Sequence, residues 1–300
     1  MKTPHKHLHH PLLLPVLLCC NIVAALTACS NIDENERLEL VSTQVVPYDT
    51  PEEKTEEDSL YDAPIKVVES RVLIEDHTGQ KCPNCPDGAQ TIRDLQRTYG
   101  SRIVPVAIHS QMQGIMEPEG LGNELGNTYY NYWHIEYKPA ALINRIDVGT
   151  GRVFDKTIWP YAAQYILADE TPNPLDIRIK AHQTAEASAD IDVKVIATTA
   201  AAVSGKLQVW ITEDNIVARQ DSMGSRLNNY VHSHVLRAAA NGTWGEDVSV
   251  SGAEGSNVRE FHYTQALAST WKPADLAIVA FVYTDEKVVQ VSRSKLKVKE

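Results

Sequence analysis

Two cysteines separated by two residues, placed between an apolar run and a helical pattern, constrain the fold of this chain most. Val72-Leu73-Ile74 is apolar enough for a buried strand, and Cys82-Pro83-Asn84-Cys85 follows after a loop that contains glycine. Apolar residues then recur at helical spacing as far as Tyr99, with Pro86 in the first turn and Gly100 as a stop signal. The pattern predicts a cysteine pair at the start of a helix that follows a strand.

The segment after this helix alternates between strand and helix patterns. We expect a strand over 102–109, an irregular segment to about Gly126, and an apolar strand over 140–143 that opens at Lys138-Pro139. A turn follows, and then a helix over 155–168 that Pro160 interrupts. This order of strand, C-x-x-C, helix, strand, insertion, X-Pro, strand, hairpin and helix resembles the thioredoxin-like fold.

The resemblance to thioredoxins implies roles for particular residues. Asp76 matches the buried carboxylate that lies six residues before the first cysteine, with Glu75 as an alternative, and Pro139 matches the cis proline that faces the dithiol. His77 is near enough in sequence to modulate Cys82. If the pair is redox-active, the resemblance implies that Cys82, Cys85, Asp76 and Pro139 form the catalytic set.

The chemistry of the cysteine pair has three readings. In the redox reading, Cys82 lies at the exposed helix start, where backbone N–H groups favour a thiolate, and Cys85 closes on it one turn later. In the second reading the Cys82–Cys85 pair is a structural disulfide in an oxidising compartment. In the third reading, Cys82 and Cys85 supply half of the ligands of a zinc site, although no second cysteine pair follows in the sequence.

The N-terminus has the pattern of a secretory signal over residues 1–28. Lys2 and Lys6 precede an apolar run from Leu12 to Leu26, which contains Pro15 and is too short to span a bilayer as a helix. Cys29 follows Leu-Thr-Ala directly and resembles the bacterial lipobox, in which cleavage exposes the cysteine for lipidation. We therefore expect a membrane anchor through lipid on Cys29; an ordinary cleaved signal with a cysteine at the cut is the alternative.

Acidic residues dominate the segment after the expected anchor. Eleven Asp and Glu side chains lie between Asp33 and Asp62, which predicts an acidic flexible tether over 29–66. A short docked strand within 38–46 is the alternative. Over the whole chain 39 acidic residues exceed 28 basic ones, so the composition argues against a nucleic-acid partner.

The C-terminal part has a different pattern, which starts after the joint Thr171-Pro172-Asn173-Pro174. Seven short strands are expected, over 175–181, 191–195, 207–211, 230–236, 258–263, 276–283 and 288–298. We therefore predict an α/β thioredoxin-like domain over 67–170 followed by an all-β immunoglobulin-like sandwich domain over 171–300.

Histidines are the remaining candidates for chemistry. His232 and His234 lie two apart on a predicted strand, share one face and are weak candidates for a metal site. Two histidines without a third metal ligand nearby more commonly form hydrogen bonds to solvent or to carbonyl groups than bind a metal ion. We therefore expect no metal and no cofactor.

Three stretches resemble the Bacteroidota outer-membrane lipoprotein family called outer-membrane protein twenty-eight. They are 72–86 around the cysteine pair, Lys138-Pro139-Ala140 to Arg145, and Tyr230 to Arg237 with Trp244-Gly245-Glu246. The resemblance implies a lipid-anchored outer-membrane protein, exposed at the cell surface or retained on the periplasmic face. Its expected role is to bind a protein or host ligand as an adhesin or within a complex. The alternative is an extracytoplasmic thiol-disulfide oxidoreductase that uses Cys82 and Cys85.

Overall fold

The computed structural model describes residues 61–64, 68–185 and 187–299. All of them belong to the unit Val46–Glu300, one of two units into which the chain divides. The expected signal peptide, Cys29 and most of the expected tether lie outside the described residues. Within this part of the chain, strands predominate and helices are few. None of the described helices combines the length and the apolar character needed to cross a bilayer.

Strands and helices alternate in the first part of the described chain. The elements are β1 (Val72–Thr78), α1 (Cys85–Tyr99), a 3-10 helix (Gly100–Arg102), β2 (Ile103–His109), α2 (Glu124–Tyr132), β3 (Ala140–Ile143), β4 (Val153–Asp155) and α3 (Trp159–Leu167). The helix expected over 155–168 is present, but Pro160 does not interrupt it. The helix begins at Trp159, so Pro160 occupies the first turn, where its missing N–H has no intrahelical partner to lose.

The second part of the described chain is almost entirely strand. Its elements are β5 (Leu175–Ala185), β6 (Ser188–Ala197), β7 (Val203–Glu213), β8 (Ile216–Ser222), β9 (Ser225–His232), β10 (Val235–Ala239), β11 (Glu246–Val250), β12 (Val258–Ala266), a 3-10 helix (Pro273–Asp275), β13 (Leu276–Tyr283) and β14 (Val288–Lys295). The sequence did not reveal β8 and β11. The run expected as one strand over 230–236 is divided between β9 and β10, because His234 between them has a φ of 58°.

A nine-stranded sheet contains strands from both parts of the chain. Its order is β14-β13-β7-β10-β2-β1-β3-β4, and β11 also pairs with β7. Strand β2 is parallel to β1 on one side and to β10 on the other, where Val235 is opposite Ala107. The N–H of Ala107 donates to the carbonyl oxygen of His234 at 2.8 Å. The predicted boundary at 170–171 therefore does not separate two sheets.

A second sheet, of order β12-β6-β5, packs over one end of the large sheet. Alternate residues of β5 and β6 are buried, and the residues between them face outward, as period-two alternation predicts. The core between the sheets contains Ile177, Ile191, Val193 and Val209 together with Ile278. The expected alternation in this part of the chain is therefore confirmed.

Helices α1 and α3 cover one face of the large sheet at the end formed by β1 and β3, and α2 packs on a separate hydrophobic cluster that includes residues of β7 and β13. On that face α1 and α3 bury Ile92 and Trp159 against β1 and β3. In the separate cluster Tyr129 of α2 packs with Trp210 and Phe281. The indole N–H of Trp210 donates to the Tyr129 hydroxyl at 3.0 Å, so the polar atoms of these two buried rings are paired with each other.

The described end of the expected tether contacts the smaller sheet. Asp62 accepts a hydrogen bond from Lys194 Nζ at 2.5 Å, and the same ammonium lies 4.1 Å from the ring centroid of Tyr61. Arg178 donates to the carbonyl oxygens of Ala63 and Pro64. Residues 61–64 are therefore bound to the outer face of β5 and β6.

Candidate functional site

The cysteine pair forms a disulfide that is closed off from solvent. The Cα atoms of Cys82 and Cys85 lie 5.4 Å apart, and α1 begins at Cys85 with Pro86 in its first turn. The exposed fraction of Cys82 is 0% and that of Cys85 is 2%. Our expectation that Cys82 lies at an exposed helix start is therefore wrong. The helix begins three residues later, and another part of the chain lies over the cysteine.

The cover is the hairpin formed by β8 and β9, which pair with each other as a separate two-stranded sheet. The side-chain amide of Gln220 donates to the carbonyl oxygen of Cys82 at 2.9 Å and to that of Gly79 at 3.2 Å. Gln220 is itself buried. A glutamine 138 positions away in sequence thus satisfies the carbonyl groups of the loop that contains Cys82.

Gln80 binds the hairpin from the opposite direction. Its backbone carbonyl oxygen accepts from the N–H of Asp221 at 2.7 Å, and its side-chain amide donates to the carbonyl oxygen of Arg219 at 3.1 Å. Its side-chain oxygen accepts from the N–H of Leu121 at 2.9 Å. Gln80 therefore links the cysteine loop both to the hairpin and to the irregular segment that follows β2.

Asp76 is the carboxylate that faces the disulfide region. It lies on β1, is 2% exposed, and its Oδ1 has no hydrogen-bond partner among the described residues. Burial raises the pKa of Asp76 to about 7, an effect that the nearby Lys138 ammonium opposes. Near neutral pH, this carboxyl group can therefore hold or release a proton.

Glu75 and His77 lie on the opposite face of β1, because successive side chains of a strand alternate. Glu75 forms a buried ion pair with Arg145, whose Nε and Nη2 donate to the two carboxylate oxygens at 2.7 and 2.9 Å. His77 is fully buried, and burial lowers its pKa to about 3. The alternative carboxylate is thus used in an ion pair, and neither residue lines the cavity beside Cys85.

Pro139 lies beside α1, just before β3. The Lys138–Pro139 peptide bond is cis, and Pro139 packs against α1 at Gly88, where an added Cβ would lie 3.0 Å from the proline Cβ. Lys138 Nζ donates to the carbonyl oxygens of Thr78 at 2.6 Å and Met112 at 2.7 Å, and to the Ser110 hydroxyl at 2.8 Å. These bonds fix the approach to β3 beside the end of β1.

A cavity of about 50 Å³ lies beside Cys85 and is lined by Asp76, His109 and His232 among others. It has room for about three water molecules. The rings of His109 and His232 have centroids 5.6 Å apart, and each ring has a buried nitrogen without a partner among the described residues. Burial lowers the pKa of His232 to about 4 and that of His109 well below its ordinary value. Both imidazoles are therefore neutral at physiological pH.

The two histidines proposed as weak metal candidates do not share a strand face. His232 ends β9, whereas His234 lies in the turn before β10. His234 Nδ1 is 3.1 Å from Asp214 Oδ1, and Asp214 also accepts from Arg293 Nη2 at 2.6 Å. Among the described residues, no group of three or more His, Cys, Asp or Glu side chains is placed to hold a metal ion. His234 is outside the strand that contains His232, although both residues line the cavity beside Cys85.

The site also contains residues that the sequence did not identify. Gln80 and Gln220 form the contact between the hairpin and the cysteine loop, and His109 lines the cavity. Gln80 lies within the stretch 72–86 but no role was expected for it, Gln220 belongs to no local motif, and the bonds that they form join distant parts of the chain. Only the position of His109 at the end of the predicted strand over 102–109 could have indicated that it lies near the end of β1.

Comparison with known proteins supplies a family and a fold. The family model described as "Outer membrane protein Omp28" matches residues 126–300. HBP35 of Porphyromonas gingivalis is similar in structure, with a TM-score of 0.58 and 15% identity over 76% of each chain. A domain of the outer membrane lipoprotein Omp28 from Porphyromonas gingivalis is 24% identical over 42% of this chain and 91% of that one, with a TM-score of 0.33. No curated protein matches the sequence.

The buried carboxyl group of Asp76 makes stability depend on pH in a defined direction. Between about pH 4 and pH 7 the folded state keeps a proton that the unfolded chain has lost, so raising the pH destabilises the fold. We predict that Asp76→Asn becomes progressively more stable than the wild type over this interval, by up to about 1.4 kcal/mol per pH unit. Urea unfolding at several pH values measures the difference.

The matched control for this experiment is Asp285→Asn, which changes an exposed carboxyl group in the loop between β13 and β14. Its stability relative to the wild type should stay constant over the same interval. If the Asp76→Asn difference is also constant, Asp76 does not hold a proton in the folded protein.

Proposed function

The chain belongs to the family of outer membrane protein Omp28, and from this premise we propose that it is a lipid-anchored binding protein of the outer membrane. In this proposal it holds a partner protein or host ligand at the cell surface. The Cys82–Cys85 disulfide serves as a structural crosslink. The observation that carries the proposal is the complete burial of Cys82, whose carbonyl group the β8–β9 hairpin binds through Gln220.

Thiol-disulfide exchange requires that a thiolate reaches the sulfur it attacks. In an oxidoreductase of this type, the exposed first cysteine makes that attack. Here the Cys82 side chain has no exposed surface, and Gln220 binds the carbonyl group of the same residue. The closed position supports the proposal that the disulfide stabilises the loop and that the working surface lies elsewhere on the protein.

The fold supports a thioredoxin-like scaffold for this binding role. The observed order is β1, the cysteine pair, α1, β2, an insertion with α2, the cis Pro139, the β3–β4 hairpin and α3. Beside it, two packed antiparallel layers form the proposed immunoglobulin-like sandwich, one of them continuous with the scaffold sheet. Sandwiches of this kind commonly bind ligands through exposed loops and strands.

The surface of α3 supports binding more directly. Tyr161 and Tyr165 are spaced one helical turn apart and are 71% and 76% exposed, and Ile158 lies close to the same face. Tyrosine is enriched in protein interfaces, because its ring offers a large apolar area and its hydroxyl group can form hydrogen bonds. Exposed pairs of this kind are suited to contact with another protein.

A second candidate function is thiol-disulfide exchange, and the placement of Asp76 favours it. Asp76 and Cys85 line one cavity, and the cis Pro139 stands where the resemblance implies a peptide groove. In that reaction the Cys82 thiolate attacks a substrate disulfide and releases one substrate thiol. Cys85 then attacks the mixed disulfide, re-forms the Cys82–Cys85 bond and releases the reduced substrate, with Asp76 relaying a proton.

A trapping experiment separates the two functions. In Cys85→Ser the resolving thiol is missing, so an active Cys82 would remain bound to its substrate through a disulfide. We predict that nonreducing gels of cells producing this variant show no covalent partner, because in this proposal the cysteine pair is a crosslink and no substrate binds through Cys82.

The control is the double variant Cys82→Ser/Cys85→Ser, which cannot trap a substrate. A partner that is released by reduction, and that is present with Cys85→Ser but absent with the double variant, would show that thiol-disulfide exchange is the function. It would overturn the structural reading of the disulfide.

The proposed lipid anchor can be tested on the full-length chain. Cys29→Ala removes the only sulfur at the expected cleavage site, so the protein should leave the membrane pellet and enter the soluble extracytoplasmic fraction. Cys20→Ala changes a cysteine inside the expected signal peptide and should leave the protein in the membrane. If Cys29→Ala also stays in the membrane pellet without detergent, lipid on Cys29 is not the anchor.

A further inference from the structure

We propose that the β8–β9 hairpin is a redox-linked lid. Its closed position is stabilised by the Cys82–Cys85 disulfide, and reduction of the disulfide releases it. The inference does not depend on the binding role proposed above, because it concerns only how the hairpin and the disulfide affect each other.

The hairpin is structurally separable from the sheets around it. Its strands pair with each other and take no part in the ladders of the nine-stranded or the three-stranded sheet. A two-stranded hairpin alone is marginally stable in water. The side chains of Val217 and Met223 in the hairpin are exposed, so this part of its apolar surface does not stabilise the hairpin by being buried. The stability of its closed position therefore depends on contacts with the body of the protein.

Two short connections at the base of the hairpin are suited to act as hinges. Asn215, between β7 and β8, has a φ of 57°, and His234, between β9 and β10, has a φ of 58°. The N–H of His234 donates to Asp214 Oδ1 at 2.6 Å, and Arg293 holds the same carboxylate. This bond ties the two hinges to each other and to β14. The base of the hairpin is therefore fixed, and strands β8 and β9 can move together relative to it.

The polar contacts of the hairpin converge on the loop that the disulfide shapes. Gln220 donates to the carbonyl oxygens of Gly79 and Cys82, while Gln80 accepts from Asp221 and donates to Arg219. All four bonds join the loop 79–82 to the segment 219–221. Because the disulfide fixes Cys82 relative to α1, it also fixes the carbonyl oxygens that the hairpin requires.

Reduction changes this loop directly. An external dithiol transfers two electrons and two protons to the disulfide, which becomes two thiols, and the dithiol is itself oxidised to a disulfide. The two sulfur atoms are then no longer bonded, so the loop loses its crosslink and the closed lid loses its fixed partners. Since the coupling is reciprocal, a ligand that lifts the hairpin makes the disulfide easier to reduce.

The first arm of the test measures the rate at which dithiothreitol reduces the purified protein, using alkylation and mass measurement. Gln220→Ala removes two of the four bonds that hold the hairpin on the loop, so the closed position is less stable and reduction should become faster by roughly tenfold. Asn229→Ala changes an exposed residue of β9 and should leave the rate unchanged. Equal rates for wild type and a folded Gln220→Ala would overturn the proposal.

The second arm uses the wild-type chain, so it stays decisive even if Gln220→Ala fails to fold. Amide hydrogen exchange is compared between the oxidised and the reduced protein. Exchange over 216–232 should become faster on reduction, whereas β13, in the middle of the core, should stay protected. Unchanged exchange in the hairpin, or an equal loss of protection in β13, would show that the lid is not linked to the disulfide.

Discussion

The pairing of β10 with β2 joins the two parts of the described chain in one sheet. Through Val235 opposite Ala107, a strand from the second half of the chain joins the sheet that contains the cysteine motif. Strand β9 ends three residues before β10 begins, so the same pairing fixes where the hairpin starts. It brings Gln220 to the carbonyl group of Cys82 and His232 into the cavity beside Cys85.

Strand β1 separates two kinds of buried charge. On one face Glu75 is paired with Arg145, whose guanidinium group lies 4.6 Å from the ring centroid of Tyr283 and 5.3 Å from that of Trp133. Removing either partner of such a pair would leave a buried charge without compensation. On the other face one oxygen atom of Asp76 has no hydrogen-bond partner within the described part of the chain, and it lies in a cavity with two neutral imidazoles. The paired face stabilises the fold, and the unpaired face keeps a proton available next to the disulfide.

The parts of the structure that depend on local patterns could be predicted from the sequence. The strand before the cysteine pair, the helix after it and the alternation in β5 and β6 follow from spacing alone. Asp76 could be selected by its distance from Cys82, although only the structure shows that Glu75 faces the other way. Local patterns are informative here because each of these features involves neighbouring residues.

The cover over the disulfide could not be predicted in the same way. The contact between Gln220 and Cys82 joins residues that are 138 positions apart in the sequence. Because it involves a backbone carbonyl group, the pattern of side chains along the sequence does not indicate it. The division of the run 230–236 depends on a positive φ at His234, a conformation that histidine adopts less readily than glycine or asparagine. Both features came from tertiary contacts, and together they decide whether Cys82 is accessible.

The disulfide is closed off from solvent in the folded protein, and a comparison of two reduction rates tests this closure. The rate of reduction by dithiothreitol can be measured for the folded protein and for the same protein unfolded in denaturant, with the reagent concentration and pH held constant. If Cys82 and Cys85 are closed beneath the hairpin, the folded protein is reduced far more slowly than the unfolded chain. Equal rates would contradict the account, because they would show that the disulfide is open to solvent in the folded state.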